Sequence, residues 1–257
     1  MENEFNFGYV LGVRYGDGYV NPKYIRLEAK DHDFVLAFSK AFTQIAKRSK
    51  DRDYKLWYYK KHDTYTVTGG NPRLSQWFLN LTQKTLEIIL FNNKEISRGF
   101  LRGFFDSEGS NTGISILISS TKKWKLDLCR NLLQKHFNIR SKPVFALHQT
   151  TQFAPDGYDY WRLSIGTYYY QKKFIDEIGF NIKRKQNKPM KESTRGGGWL
   201  DDETKYIQDN WKIHFDKDLA EQINTKFGSI RTASSVAHKR QRLNLWREKG
   251  WNQLNLK

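Results

Sequence analysis

The chain has 257 residues and a formal net charge of +17, from 44 Lys and Arg against 27 Asp and Glu; hydrophobic residues make up 38% and aromatic residues 15%. That apolar content excludes wholesale disorder, and no apolar run approaches the ~18–20 residues of a membrane-spanning helix. A single cysteine, Cys129, excludes an intrachain disulfide framework and a cysteine-based zinc module. Excess positive charge with many rings points to a polyanionic partner, nucleic acid before membrane; the alternative is a basic soluble protein with no such role.

In chain order, the first signal is FGYVLGVRYGDG (7–18), where Gly8, Gly12 and Gly16 recur every four residues and so share one helix face. Alternating stretches follow at 24–30, 55–61 and 64–68, with helices expected over 33–47 and 72–79. A shift of 91 residues then lays RGFLRGFFDSEG (98–109) on the first segment. Gly99, Gly103 and Ser107 fall on the three glycines, Glu108 on Asp17 and Gly109 on Gly18. Strands are expected again at 114–119, 142–148 and 160–165, and helices over 123–136 and 170–178.

Glycine costs about 1 kcal/mol per helical position relative to Ala, so three in one short helix require a close packing partner. Each helix is expected to end in acid-Gly, with the glycine as a left-handed C-cap. Packed through their small faces, the two helices deliver Asp17 and Glu108 side by side. Two carboxylates at helix C-termini repel the dipole and each other, a placement that makes sense around a divalent cation. In the strands, Ile25, Leu27, Ala29, Tyr65, Val67, Trp161, Leu163 and Ile165 form an apolar face. The opposite face is polar and basic, either a nucleic-acid reader or the solvated outside of an α+β sheet.

VLGVRYGDG (10–18) and LRGFFDSEG (101–109) resemble the two signature helices of the LAGLIDADG homing endonucleases in their single-chain, two-motif form. The first departs from the motif at Arg14 and Tyr15, and the second keeps Asp106. The resemblance covers about 1–190. It implies an α+β fold of two pseudo-twofold αββαββα repeats, about 1–92 and 93–182, forming a DNA-binding saddle. It also implies a double-strand break with short 3′ overhangs in a long asymmetric duplex site, made by a monomer with Mg²⁺. Asp17 and Glu108, with the main-chain carbonyls of Gly16 and Ser107, would be the metal ligands. Lys30 and Lys185 would stand near the scissile phosphates, with Lys183 adjacent. Arg26, Glu28, Lys30, Lys55, Thr66, Thr68, Ser115, Lys142, Arg162 and Ser164 would face DNA. Phosphodiester hydrolysis by this route needs no covalent intermediate, so the lack of a Ser/His/Asp pattern is no objection.

The segment 183–198 begins KRKQNKPMKESTR and ends in three glycines, and reads as a basic linker. Beyond it, 199–257 is expected to form three helices. Residues 196–227 carry 4 basic and 7 acidic side chains, 228–257 carry 7 and 1. The last helix therefore holds the positive charge. Trp199, Trp211 and Trp246 are expected to wedge its small core. SSVAHKRQRLNL resembles the recognition helix of a Myb-like helix-turn-helix, which implies Ser234, Ser235, His238, Lys239 and Arg242 toward the major groove. The alternative is a protein-binding three-helix module. Two other activities stay open: an RNA-binding intron maturase and a cleavage-inactive DNA-binding transcription regulator. No splicing-domain sequence flanks the repeats, which disfavours an intein. The expected setting is the cytoplasm or nucleoid of a prokaryotic or phage host, or an organelle matrix.

Overall fold

The computed structural model describes residues 2–46, 54–151, 154–190 and 199–247. Its first half runs α1 (Glu2–Tyr15), β1 (Tyr19–Val20), β2 (Tyr24–Ala29), α2 (His32–Ile45), β3 (Leu56–Tyr59), β4 (Thr64–Gly70), α3 (Pro72–Asn80) and α4 (Gln83–Asn92). The second runs α5 (Lys94–Glu108), β5 (Gly109–Asn111), β6 (Ile116–Ser120), α6 (Lys123–Phe137), β7 (Phe145–Thr151), β8 (Ala154–Ile165), α7 (Tyr168–Glu177) and the short α8 (Lys183–Gln186). Each half holds one antiparallel four-stranded sheet, ordered β1-β2-β4-β3 in the first and β5-β6-β8-β7 in the second. Equal strand order in two halves, with α1, β2 and α2 recurring about 91 residues on as α5, β6 and α6, marks a duplication.

The halves join through α1 and α5. A Cβ on Gly8 would overlap the Ile96 carbonyl, and one on Gly12 the Phe100 carbonyl. Reciprocally, Cβ atoms on Gly99 and Gly103 would overlap the carbonyls of Phe5 and Tyr9. The small faces thus bring backbone against backbone, the packing that offsets their poor helix propensity. Around this seam the inner sheet faces (Ile25, Leu27 and Val67; Ile116, Ile118, Leu163 and Ile165) are buried against Phe34, Phe38, Phe42, Leu132 and Phe174 of the helices.

Several expectations need correction. Gly18 and Gly109 are not left-handed caps. Gly109 is extended (φ −88, ψ 161) and begins β5, and Gly18 is absent from the residues with positive φ. What they supply is a missing Cβ: one on Gly18 would lie 2.9 Å from the Val13 carbonyl oxygen, and one on Gly109 would crowd the last turn of α5. The chain therefore leaves each helix directly along its own side. Lys30 lies just past β2, which ends at Ala29. Ser115 lies in the turn before β6, where its carbonyl accepts from the Thr112 backbone. Lys142 precedes β7, its backbone N–H bonded to the Ser164 carbonyl at 2.8 Å. The stretch 183–190 is no free tether: α8 occupies its start and Lys185 is buried. The rest of the linker, 191–198, lies outside the described residues, as do the end of the expected helix 33–47 and 248–257.

The tail forms three helices, α9 (Asp201–Asn210), α10 (Asp216–Phe227) and α11 (Ala233–Arg242), around Ile207, Leu219, Ala220, Ile223 and Val236. Trp199 and Trp211 pack on this cluster, but Trp246 is 64% exposed. Below Trp199 lies a buried ion pair between Glu203 and Arg231, 2.7 Å apart, with the guanidinium 4.2 Å from the Trp199 ring centre. The tail also touches the second half. Arg140 donates to Asp201 and Asp202, each at 3.0 Å, and Leu200 joins the main core.

Candidate active site at the joined helix ends

The close packing of α1 and α5 fixes where the two acidic residues emerge. A Cβ on Gly16 would overlap the Ser107 side chain and lie 3.4 Å from Glu108 Cγ, so the two helix ends nearly touch. Asp17 and Glu108 are both solvent-accessible. Partial burial raises both carboxyl groups above their ordinary range, and the Asp17 charge raises Glu108 further. Mutual repulsion of this kind is relieved by a shared or neighbouring dication. Two carboxylates with main-chain carbonyls close by form a hard oxygen set of the sort Mg²⁺ takes, since that ion keeps water and substrate phosphate in its remaining positions. Among the described residues no group of three or more His, Cys, Asp or Glu is arranged to hold a metal ion.

Two lysines flank the pair. Lys185 Nζ donates to the carbonyls of Phe105 and Asp106 at the end of α5. Lys125, on the first turn of α6, donates to the carbonyl of Tyr15 at the end of α1. Tyr15 and Asp106 are equivalent under the 91-residue shift. The two ammonium groups therefore occupy matching stations, one at each negative helix end. Burial lowers the pKa of both; the Asp106 charge, and more weakly those of Asp31 and Asp17, raises Lys185, while that of Glu108 raises Lys125. Lys125 escaped the sequence reading because only the docking of α6 on α1 brings it there. Its one signal was a basic residue on a helix whose other inward positions are apolar.

Lys30 is exposed and Lys183 lies in α8, its backbone N–H bonded to Asp33. Asp106 is buried beneath the site. It accepts from the Tyr9 hydroxyl at 2.9 Å and the Asn181 backbone N–H at 3.0 Å. Desolvation pushes its carboxyl up to about 6.

The open sheet faces hold most of the other candidates. In the first sheet, cross-strand partners Arg26 and Thr68, then Glu28 and Thr66, lie in successive rows. Arg26 is ion-paired with Glu28, and Lys55 stands 4.4 Å over the Trp57 ring. Thr66 is only 4% exposed between its cross-strand neighbours Glu28 and Trp57, so it presents no hydroxyl at the surface. In the second sheet Arg162 donates to Ser119 and Tyr160, each at 3.2 Å, whereas Ser164 is 7% exposed. The face is richer in rings than the polar reading implied: Tyr19, Trp57 and Tyr59 are each at least half exposed. A pocket of about 390 Å³ lined by Asp17, Tyr19, Tyr24, Arg26 and Glu28 connects this face to Asp17.

In the tail, Ser234, His238 and Arg242 are exposed along one side of α11. Ser235 is engaged in the helix N-terminus instead: its hydroxyl accepts from Thr232 N–H at 3.0 Å and donates to the Thr232 carbonyl at 2.8 Å. Lys239 reaches back over the Trp199 ring at 6.0 Å.

Residues 95–179 match the LAGLIDADG-like domain family. An uncharacterized protein of Methanocaldococcus jannaschii is 27% identical over 203 residues, covering 71% of this chain and 69% of that protein. A second uncharacterized protein of the same organism is 28% identical, covering 51% of this chain and 54% of its own. The chain is also 25% identical to a stretch of that organism's DNA-directed RNA polymerase subunit Rpo1C, covering 72% of this chain and 20% of the subunit. Among solved structures, the homing endonuclease I-DmoI superposes with a TM-score of 0.52 at 18% identity, covering 69% of this chain and 91% of its own. I-DmoI variants in complex with target DNA in the presence of Mn reach the same TM-score. This likeness is one of fold: a LAGLIDADG-like arrangement of two antiparallel sheets about a central helix pair.

Proposed function

We propose that this protein is a site-specific double-strand DNA endonuclease dependent on a divalent cation. The observation that carries the reading is the convergence of Asp17 and Glu108 at the joined ends of α1 and α5, with Lys185 and Lys125 at matching stations beside them. Asp17 and Glu108, assisted by the carbonyls of Gly16 and Ser107, would hold Mg²⁺. When bound, that ion supplies charge neutralisation at the phosphate oxygens and an acidified water. The chain's own residues do the rest. The two ammonium groups hold positive charge where a phosphodiester gathers negative charge, in a crevice where burial keeps water from screening it. The open sheet faces, with Arg26, Glu28, Lys55, Thr68 and Arg162, meet base edges and phosphates of a long duplex site.

The tail extends that duplex contact as a helix-turn-helix. Supporting this, α11 is capped by Thr232, follows a turn in which Gly228 is left-handed (φ 59), and exposes Ser234, His238 and Arg242 together. Arg242 can reach guanine in the major groove.

The test is cleavage of supercoiled plasmids carrying candidate sites, with and without Mg²⁺, by the full chain and by Asp17→Asn and Glu108→Gln. Linear product from the wild type alone, with duplex binding retained by both variants in Ca²⁺, is the expected result. Wild-type cutting rates in either variant would withdraw the assignment.

A further inference from the structure

Lys185 reaches its station from α8, a helix of four residues, too short to hold itself in place by its own hydrogen bonds. It is held by Asn111, whose Nδ2 donates to the Lys185 carbonyl at 2.9 Å, and by a set of carboxylates from both halves of the molecule. Asp106, on α5, accepts from the backbone N–H groups of Asn181 and Ile182, immediately before α8. Asp33 accepts from the Lys183 N–H at 2.7 Å. Asp31 takes the Arg184 guanidinium in a two-point contact, Nε at 2.7 Å and Nη2 at 2.6 Å. Asp31 and Asp33 belong to the first half, at the start of α2, 153 and 150 residues from their partners.

The behaviour of Asp31 is the informative part. It occupies the N-cap position of α2, where an aspartate ordinarily accepts from the helix's own backbone, an arrangement worth about 1 kcal/mol. Here it makes no cap hydrogen bond, and its carboxylate is turned to Arg184. A residue of the right type at the right cap position has been diverted to a residue adjacent to Lys185. Planar pairing of this kind fixes orientation as well as distance. With Asn111 and Asp33 fixing the backbone of α8, a guanidinium held at position 184 helps set the rotation of the one-turn helix, and so where the side chain of 185 points.

We infer that Asp31 is a positioning residue: through Arg184 it holds α8 so that the Lys185 ammonium stays on the end of α5 beside Glu108. Neither Asp31 nor Arg184 contacts the carboxylate pair. The inference rests on the nuclease reading for its catalytic consequence, but the placement of Lys185 is testable without cleavage.

The experiment uses the full chain and four variants: Asp31→Asn, Arg184→Gln, Asp31→Glu, and the exchange Asp31→Arg with Arg184→Asp. Acetylation of Lys185 by a water-soluble ester is timed by peptide mass spectrometry, because a buried amine is slow to react and a released one is fast. Cleavage turnover in Mg²⁺ and duplex affinity in Ca²⁺ are measured alongside. Opening the clasp in D31N or R184Q is expected to speed Lys185 acetylation several-fold relative to exposed lysines in the same chain. Turnover should fall by up to about 10²-fold, the scale of a small misplacement of a reacting group, with affinity unchanged. Asp31→Glu and the exchanged pair should recover part of both effects. Unchanged Lys185 reactivity in D31N and R184Q would overturn the inference. So would a defect that neither Asp31→Glu nor the exchanged pair recovers, because that is the mark of misfolding. If the wild type does not cut, the nuclease reading fails while the acetylation series still decides the clasp.

Discussion

Asp106 accepts from four donors, the Tyr9 hydroxyl, the Asn181 backbone and side-chain N–H groups, and the Ile182 N–H, and is still hard to ionise. Burial outweighs these bonds and holds its carboxyl at about 6 instead of 3.8. The consequence for stability has a definite sign. The folded state keeps this proton more tightly than the unfolded chain, so stability contributed at Asp106 is greatest below about pH 4. It falls as pH rises toward 6, and then levels off. That difference corresponds to at most about 3 kcal/mol. Comparing urea midpoints of the wild type and Asp106→Asn from pH 4 to 7 should show a downward slope in the wild type that is shallower in the variant, which keeps the smaller contributions of Asp17 and Glu108. Parallel profiles would remove Asp106 as the titrating group.

At the scale of elements, the glycine seam dictates the halves' approach. Gly12→Ala pushes a methyl into the Phe100 backbone and is expected to cost more than the usual 1–3 kcal/mol of overpacking, because carbonyls on a helix cannot step aside. Gly70→Ala is the control: nothing lies within 4 Å of a Cβ there, and its melting temperature should stay near wild type. In the tail, Glu203→Gln removes the carboxylate buried against the Arg231 guanidinium and should cost roughly 3–5 kcal/mol, melting α9–α11 before the sheets. Differential scanning calorimetry with Trp fluorescence separates the two transitions.

These elements also show what the sequence could disclose. The helix seam was legible because glycine at every fourth position weakens a helix unless another backbone must come close along that face. The strands near 24–30 and 64–68 were legible from strict alternation. The two- and three-residue strands β1 and β5 are too short for any period to register. The helix α4 was missed although Thr82 caps it, because four consecutive apolar residues, Ile88 to Phe91, obscure the i,i+4 pair Leu86 and Leu90 that it buries. The carboxylate pair could be read from the repeat itself, whereas Lys125 required knowing which helix lies on α1. A basic run reads as solvated, so the burial of Lys185 was invisible until the carbonyls it bonds were in place.

At the scale of the whole molecule, the tail leans on the second half through Arg140, Asp201, Asp202 and Leu200. Truncation after Lys191 should leave central cleavage in place, since every proposed metal ligand lies within 1–109. Affinity should drop, and the footprint should shorten on one side only. The salt dependence should become shallower, by about 0.9 in log–log slope for each phosphate that the shortened chain no longer reaches. Footprints and salt titrations on one long duplex check this. Identical results for both chains would mean that the tail does not touch DNA. Arg140→Ala, which loosens the tail's attachment without removing it, should blur the outer edge of the footprint while its length is kept.

The two lysines at the helix ends are unequal in origin. Lys125 and Lys185 both belong to the chain after residue 93, yet they serve both carboxylates, one of which belongs to the first half. At the position that corresponds to Lys125 under the repeat shift, the first half has the buried Phe34. Pairing the first half with a copy of itself would give two acids and neither ammonium; pairing the second with itself would crowd two ammonium groups onto each Asp106 carbonyl. The two halves have diverged so far at the helix ends that they are no longer interchangeable, and a symmetric pair of either one would not reproduce this arrangement of acids and ammonium groups.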